Sequence, residues 1–255
     1  MIKSIMPLGM ECVKTTLEEI VEKSHIYKYC DISLPHFIIH LESGNGRTTL
    51  VEYITDTYID HSLRRFSGKD TYLEYNLDGS MSQLEEIHVD LNARYSGYYD
   101  AYNGVVAIDI RALETKANEA HIDFFLKIIE EFKKSATFIL FVPDTMNRTL
   151  EKLMNEIKCK LACFEELDIP KYTTLHLAEI SVNSLYVKGI DVQDEDEVIS
   201  TVTKIIDDNN NITTAKSAVE LSDKLALCAD FSNYKPIIKS EIIRKYCIGG
   251  KKHGK

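Results

Sequence analysis

The sequence has no apolar run long enough to span a bilayer, and its first residues lack the charged and then apolar layout of a signal peptide. It also lacks a surplus of positive charge, because the formal net charge of its 255 residues is -10. Basic residues cluster only in the tail 251–255, which we interpret as a solvated chain end. We therefore expect a cytoplasmic protein that does not bind membranes, and we do not expect nucleic acid as a partner.

Metal-binding cysteine pairs are also lacking. The six cysteines are scattered, and only Cys159 and Cys163 lie close together in the sequence. No second pair of cysteine or histidine residues completes a structural zinc site with them, because His36 and His40 are interpreted as strand residues and not as ligands. We interpret the cysteines as small buried apolar residues that stay reduced.

What the sequence does contain is a regular alternation of short apolar segments and longer amphipathic ones. The short segments predict strands at 36–41, 71–77, 104–110 and 136–143. Helical spacing of apolar residues occurs before and between them, and again afterwards, at 15–29, 48–66, 83–95, 121–132 and 149–161. This alternation predicts an α/β fold, with a parallel sheet that is flanked by helices on both faces.

The pattern changes after Pro170. The segment LHLAEI, 175–180, is interpreted as one last strand, and helices are predicted over 191–206, 213–229 and 240–247. We therefore predict two domains, an α/β domain over 1–178 and a small all-helical domain over 179–255.

The stretch HLESGNGRTTL, residues 40–50, joins the first predicted strand to a helix. A strand that turns sharply into a helix leaves backbone N–H groups unpaired at the helix start, where they attract an anion. Gly44 and Gly46 allow the backbone to curl, and the hydroxyl of Thr48 would reach Mg²⁺. Residues 41–48 match the pattern G-x-x-x-x-G-K-[ST] at the second glycine and the threonine, but have Leu41 and Arg47 at the first glycine and the lysine. We therefore predict a nucleotide-binding loop formed by Ser43, Gly44, Asn45, Gly46, Arg47, Thr48 and Thr49. The alternative is a glycine turn before an ordinary helix, without a ligand.

Over nearly its whole length the chain resembles the AAA+ branch of P-loop ATPases. The segment GVVAIDIRAL resembles the Walker B strand, in which apolar residues precede an Asp-Glu pair. The resemblance implies that the ligand is ATP or ADP and that Asp109, with Thr48, binds its Mg²⁺. Ile110 stands where the family has the glutamate that activates water, and isoleucine accepts no proton. Glu114 would replace that glutamate only with a shifted helix start, so we do not assign it this role.

Three further segments resemble functional regions of the family. ATFILFVPDT resembles the strand that ends in the sensor-1 residue, which places Asp144 or Thr145 at the nucleotide; a polar strand exit is the alternative. LACFEELDIPKY resembles the region of the arginine finger, and Cys163 stands in place of that arginine. TTAKSAVELSDKLALCADFS resembles the lid helix with the sensor-2 arginine, which reads Lys216 here; a solvated lysine is the alternative.

The family also threads substrates with an aromatic pore loop after its second strand. The corresponding residues here, LDGSM at 77–81, contain no aromatic side chain. A tyrosine cluster follows instead, formed by Tyr95, Tyr98, Tyr99 and Tyr102. These tyrosines would suit a partner surface, or would pack a loop against the sheet edge.

Four positions that carry hydrolysis in the family read Arg47, Ile110, Cys163 and Lys216 here. Loss of general-base help costs roughly 10²–10⁴ in rate, and loss of an arginine finger roughly 10³–10⁵. The leading hypothesis is a pseudo-ATPase-like regulatory or interaction module, which binds ATP or ADP with Mg²⁺ weakly or not at all and joins an unidentified protein partner as a homo- or hetero-oligomer. The alternatives are a slow ATPase that remodels a protein partner as a ring, and an inactive clamp-loader-like subunit associated with DNA.

Overall fold

Five parallel strands form the central sheet of the computed structural model, which describes residues 8–30, 32–63, 71–95, 104–116, 118–231 and 235–245. The strands stand in the order β2-β3-β4-β1-β5. Their bounds are β1 (His36–His40), β2 (Tyr72–Asn76), β3 (Gly104–Asp109), β4 (Ala136–Val142) and β5 (Phe164–Asp168). The helices of the same part of the chain are α1 (Glu11–Glu22), α2 (Ser24–Tyr29), α3 (Arg47–Asp60), α4 (Met81–Tyr95), α5 (Leu113–Lys116), α6 (Glu119–Phe132) and α7 (Arg148–Lys160).

Helices cover both faces of this sheet. Every residue of β3 and β4 is buried, as expected for central strands of a parallel sheet. Ile38 faces the apolar core that α4, α6 and α7 build with the sheet. Its neighbour Phe37 points to the opposite face and packs on Tyr58 of α3, with ring centroids 6.5 Å apart. The predicted fold, a parallel sheet flanked by helices, is confirmed.

The loop after β1 lies at the point where the strand order reverses. From β1 the chain crosses to the edge strand β2, returns through β3 and β4, and places β5 on the other side of β1. The register sets Asn76 beside Asp109, and His40 beside both Val142 and Asp168, so the carboxyl ends of all five strands share one edge. Ligands of open α/β sheets bind at such a reversal, outside the carboxyl ends of the strands.

A second compact unit follows the sheet. The chain divides into one unit within Met1–Leu41 and Arg47–Ile169 and another within Glu42–Gly46 and Pro170–Lys255. The second unit has α8 (Thr174–Val187), α9 (Glu195–Asp207), α10 (Ala215–Ala226) and α11 (Ser240–Ile243), with a parallel pair of two-residue strands, β6 (Asp191–Val192) and β7 (Ile237–Ile238). It is therefore mainly helical rather than all-helical, and its core contains Leu177, Val182, Leu185, Val198, Val202, Leu221 and Leu225.

The prediction of a last strand at 175–180 is wrong. These residues belong to α8, whose N-cap Thr173 accepts a hydrogen bond from the backbone N–H of His176. Leu177, Ser181 and Leu185 are buried at helical spacing on this helix. Position 178, the predicted domain boundary, lies inside α8, whereas the two compact units divide at 169–170.

The five cysteines in the described part of the chain are not buried, contrary to the sequence-based interpretation, and Cys247 lies outside the described residues. Cys30 and Cys159 are exposed, and Cys12, Cys163 and Cys228 are partly exposed. Cys159 lies on the solvent side of the amphipathic helix α7, which explains its exposure. Among the described residues, no helix is both long and apolar enough to cross a membrane.

Candidate functional site

A network of four charged side chains lies at the carboxyl edge of the sheet. Glu74 comes from β2, Asp109 ends β3, Arg111 follows it, and Arg47 is the first residue of α3. Each of the four approaches at least one opposite charge of the network within 2.8 Å. The parallel register of β2 and β3 brings the two carboxylates together here.

Arg47 is held by the ends of both strands. Its Nε donates to Glu74 Oε1 at 2.5 Å, and its Nη1 donates to Asp109 Oδ2 at 2.7 Å. The same Nη1 also donates to Asn76 Oδ1, and the guanidinium carbon lies 5.9 Å from the centroid of the Phe141 ring. The positive charge of Arg47, a predicted nucleotide-binding residue, is therefore engaged by two carboxylates of the protein.

Asp109 receives hydrogen bonds from two arginines. Arg111 donates to Oδ1 from its Nε at 2.8 Å and from its backbone N–H at 3.1 Å, and its Nη2 pairs with Oδ2. Burial by itself raises the pKa of Asp109, but the hydrogen bonds from Arg111 and the charges of Arg111 and Arg47 outweigh it and hold the pKa below its ordinary value. In return, the hydrogen bond to Asp109 raises the pKa of Arg111. Asp109 is therefore a charged, acceptor-only group whose two oxygens are both occupied.

Thr48 and Asp109, the predicted magnesium ligands, both have protein partners already. The hydroxyl of Thr48 donates to the Glu74 carboxylate, at 3.0 and 3.2 Å from its two oxygens. The oxygen donors of Thr48, Glu74 and Asp109 are of the kind that Mg²⁺ prefers. However, Arg47 lies among them, so the arrangement fits a guanidinium and does not fit Mg²⁺. Among the described residues, no group of three His, Cys, Asp or Glu side chains could hold a metal ion.

The loop Glu42–Gly46 is bound to the start of α10 in the second unit. Gly44 O accepts from the backbone N–H of Lys216 at 2.9 Å, and Asn45 Oδ1 accepts from that of Ala215 at 3.2 Å. Asn45 is only 3% exposed, and the hydroxyl of Tyr172 donates to its carbonyl oxygen. Lys216 thus contacts the predicted loop through its backbone, while the residue as a whole is exposed.

Both glycines of the loop have left-handed backbones. Gly44 has φ +87° and Gly46 has φ +79°, which side chains other than glycine rarely adopt. A Cβ on Gly44 would also lie 3.3 Å from the hydroxyl of Thr214, the N-cap of α10. Ser43, Thr48 and Thr49 are exposed, and the first N–H groups of α3 have no partner within the helix.

Ile110 and Glu114 do not supply a base beside Asp109. Ile110 is fully buried in the apolar core, and its N–H donates to Phe141 O at 3.1 Å. The Glu114 carboxylate accepts from the backbone N–H of Asn147 at 2.9 Å, at the start of α7. Both residues are therefore engaged in packing or hydrogen bonds away from the network.

The other predicted site residues lie apart from this network. Asp144 and Thr145 are exposed in the turn after β4, and in the described chain neither bonds to Arg47 or Asp109. Cys163 precedes β5, and its carbonyl accepts from the N–H of His36 at the start of β1. It is therefore at the amino edge of the sheet, opposite to Asp109. Tyr95 ends α4, and Tyr98, Tyr99 and Tyr102 lie outside the described residues.

Sequence reasoning missed two members of the network, Glu74 and Arg111, and also Asn76, which accepts from Arg47. Glu74 and Asn76 were assigned only as strand residues, and Arg111 was given no role. A signal was available for Glu74, because it is the one carboxylate inside the loosely alternating segment TYLEYNL. Their convergence on Arg47 depends on the pairing of β2 with β3, which a single segment does not specify.

No protein-family model matches this chain, and no curated protein matches it. Among solved structures, the Thermotoga maritima RuvB Holliday junction branch migration motor matches with a TM-score of 0.56 and 19% identity, over 93% of this chain and 68% of that one. Two mutant forms of the same RuvB match with TM-scores of 0.58 and 0.57 at 17% and 19% identity, over 93% and 94% of this chain and 69% and 68% of theirs. The likeness shows the fold: this chain has the architecture of RuvB, an AAA+ P-loop ATPase.

Proposed function

We propose that this chain is an AAA+-like nucleotide-binding protein with impaired hydrolysis, which works as a regulatory or interaction module. Its fold is shared with an AAA+ motor, and the loop after β1 lies at the reversal of the strand order. The start of α3 presents backbone N–H groups that attract an anion. ATP or ADP, bound weakly, is the ligand that fits this combination.

The burial of Ile110 is the observation that carries the proposal of impaired hydrolysis. Hydrolysis needs a group that orients or deprotonates water, and a positioned base contributes roughly 10²–10⁴ in rate. Ile110 is 0% exposed, and the next carboxylate after it in sequence, Glu114, is bonded to Asn147. Ile110, the residue after Asp109, therefore packs in the core and supplies no base that could activate water.

ATP turnover by the purified chain with Mg²⁺ tests this proposal. We expect a rate at the level of the buffer blank, which Asp109→Asn leaves unchanged. A rate well above the blank that Asp109→Asn abolishes, and that substitution of the exposed Asp123 by Asn does not, would instead support the slow ATPase that remodels a partner as a ring. Light scattering with and without ATP would then reveal nucleotide-dependent oligomers.

Nucleotide binding is tested separately by calorimetric titration with ATP, with Arg47→Ala as the comparison. Micromolar binding that is lost in Arg47→Ala would support the loop as a phosphate site. Absence of heat at millimolar ATP would mean that the loop is scaffold. The chain would then act through a protein partner alone, as a homo- or hetero-oligomer.

A DNA-associated subunit is the second candidate, because the matched RuvB is a Holliday junction branch migration motor. The matched structures do not support our expectation that nucleic acid is an unlikely partner. The net charge of -10 still opposes sequence-independent binding to phosphates. Fluorescence anisotropy tests this candidate, with a labelled four-way junction and a linear duplex at two salt concentrations. Binding to the junction that weakens with salt would favour a DNA-associated subunit.

A further inference from the structure

The guanidinium of Arg47 is enclosed by oxygen atoms from two neighbouring strands. Glu74 and Asn76 of β2 and Asp109 of β3 all accept hydrogen bonds from it. The Arg47 side chain is 21% exposed, and those of Glu74 and Asp109 are 17% and 11% exposed. A cation that belongs to the chain therefore occupies a partly buried pocket of oxygen donors.

We propose that Arg47 replaces the divalent cation at this edge of the sheet. Its guanidinium is the permanent counter-ion of Glu74 and Asp109 and keeps Mg²⁺ and Mn²⁺ out of the folded, nucleotide-free chain.

Charge balance supports the replacement. Arg47 and Arg111 together carry two positive charges, and Glu74 and Asp109 carry two negative ones, so the network is neutral. A divalent ion added beside Arg47 would leave two uncompensated positive charges in a poorly solvated place. Without Arg47, the same oxygens would carry a net negative charge and would suit a hard divalent ion.

Geometry also favours an arginine as the occupant. The planar fork presents Nε to Glu74 while its Nη1 reaches both Asn76 and Asp109. A lysine ammonium is a compact point charge and does not span separate acceptors in this way. Since Arg47 begins α3, the fork is also fixed by the helix that packs on the sheet.

Titration with Mn²⁺, followed by electron paramagnetic resonance in the absence of nucleotide, tests the proposal. For the wild-type chain we expect no saturable binding up to about 1 mM, the weak end of protein cation sites. For Arg47→Ala we expect one saturable site, with affinity raised roughly 10–100-fold, the range by which residues around a metal alter its binding. The double variant Arg47→Ala with Asp109→Asn should lose this site again.

Arg148→Ala is the matched control. It removes the same charge from an exposed position at the start of α7 and should bind Mn²⁺ no better than wild type. Circular dichroism establishes that each variant is folded, and Arg47→Gln replaces Arg47→Ala if the latter unfolds. A folded Arg47 variant that gains no site would overturn the proposal. So would saturable Mn²⁺ binding to the wild-type chain that Asp109→Asn removes.

This inference does not depend on the proposed function, because the titration contains no nucleotide and measures no turnover. ATP hydrolysis by the chain would refute impaired hydrolysis and leave the Mn²⁺ result to decide the role of Arg47.

Discussion

The substitution Asp109→Asn should destabilise the α/β unit. Asp109 is 8% exposed and accepts hydrogen bonds from both Arg47 and Arg111. Removal of one partner from a fully buried ion pair costs about 3–5 kcal/mol. Here the two arginine side chains are 21% and 25% exposed, and Arg47 keeps Glu74 as a partner. We therefore expect a loss of roughly 2–3 kcal/mol in the free energy of unfolding at pH 7.

This loss should depend on pH in a direction that the structure sets. The pKa of Asp109 is lower in the folded chain than its ordinary value, because the arginine hydrogen bonds and charges outweigh burial. Its contribution to stability is therefore complete above the unfolded-state pKa of about 3.9 and disappears as the pH falls through the folded-state pKa. The difference between wild type and Asp109→Asn should be constant from pH 7 to 5 and should shrink below pH ~4.

Urea unfolding followed by circular dichroism measures both effects. Asp144→Asn is the control, because it removes the same charge from an exposed carboxylate. It should change stability by less than about 0.5 kcal/mol. A comparably small effect of Asp109→Asn at pH 7, or a large effect that persists unchanged at low pH, would refute the network as a stabilising element.

Three further substitutions test the loop and the core. Gly44→Ala should lower the free energy of unfolding by more than about 1 kcal/mol, because Gly44 has a left-handed backbone. The loss should exceed that of Gly46→Ala, since only at Gly44 would the added methyl group also press on the cap of α10. Urea unfolding of the two variants measures the difference. Asn45→Ala should speed hydrogen exchange at the start of α10, because the N–H of Ala215 loses its acceptor, at a cost of about 1 kcal/mol; unchanged exchange would contradict the contact. Ile110→Glu should restore no ATP turnover and should lower the melting temperature sharply, because it buries a carboxylate in the apolar core; a gain in turnover would contradict our placement of this residue.

Most of the sheet was predictable because its central strands are continuous apolar runs. Strands β1, β3 and β4 are almost entirely buried, and burial on both faces leaves a plain signal in the sequence. The edge strand β5 was missed, since FEELD carries three acidic residues and pairs with β1 alone. The six residues of LHLAEI were too few to distinguish helical from strand periodicity. In the structure they form a helix, whose first turn is capped by the side chain of Thr173.

The candidate site was predictable only where one motif specified it. The pattern around Arg47 and Thr48, together with the end of β3 at Asp109, placed three residues at one edge of the sheet. The direction of the Arg47 side chain was not predictable, because it depends on Glu74. A glutamate on a partly exposed edge strand resembles an ordinary solvent-facing residue. The register between β2 and β3, a non-local property, converts it into the partner of Arg47.

The N–H groups of Arg47 that bond to the carboxylates are not free to bond to a phosphate group at the same time. The Nε and Nη1 of Arg47 donate to Glu74, Asn76 and Asp109. A phosphate that recruits them would therefore leave Glu74 without a cation and Asp109 with Arg111 alone. Uncompensated charges in a partly buried place are costly, which makes departure of Arg47 without a replacement unfavourable. A nucleotide that draws Arg47 away would therefore bring a divalent ion to the carboxylates, and its binding would be strengthened by Mg²⁺. A nucleotide held only by backbone N–H groups would bind equally well in a chelator. Calorimetry with ATP in Mg²⁺ and in chelator separates these two modes of binding. The nucleotide-free Mn²⁺ titration shows whether Arg47 is the cation that pairs with the carboxylates before a nucleotide binds.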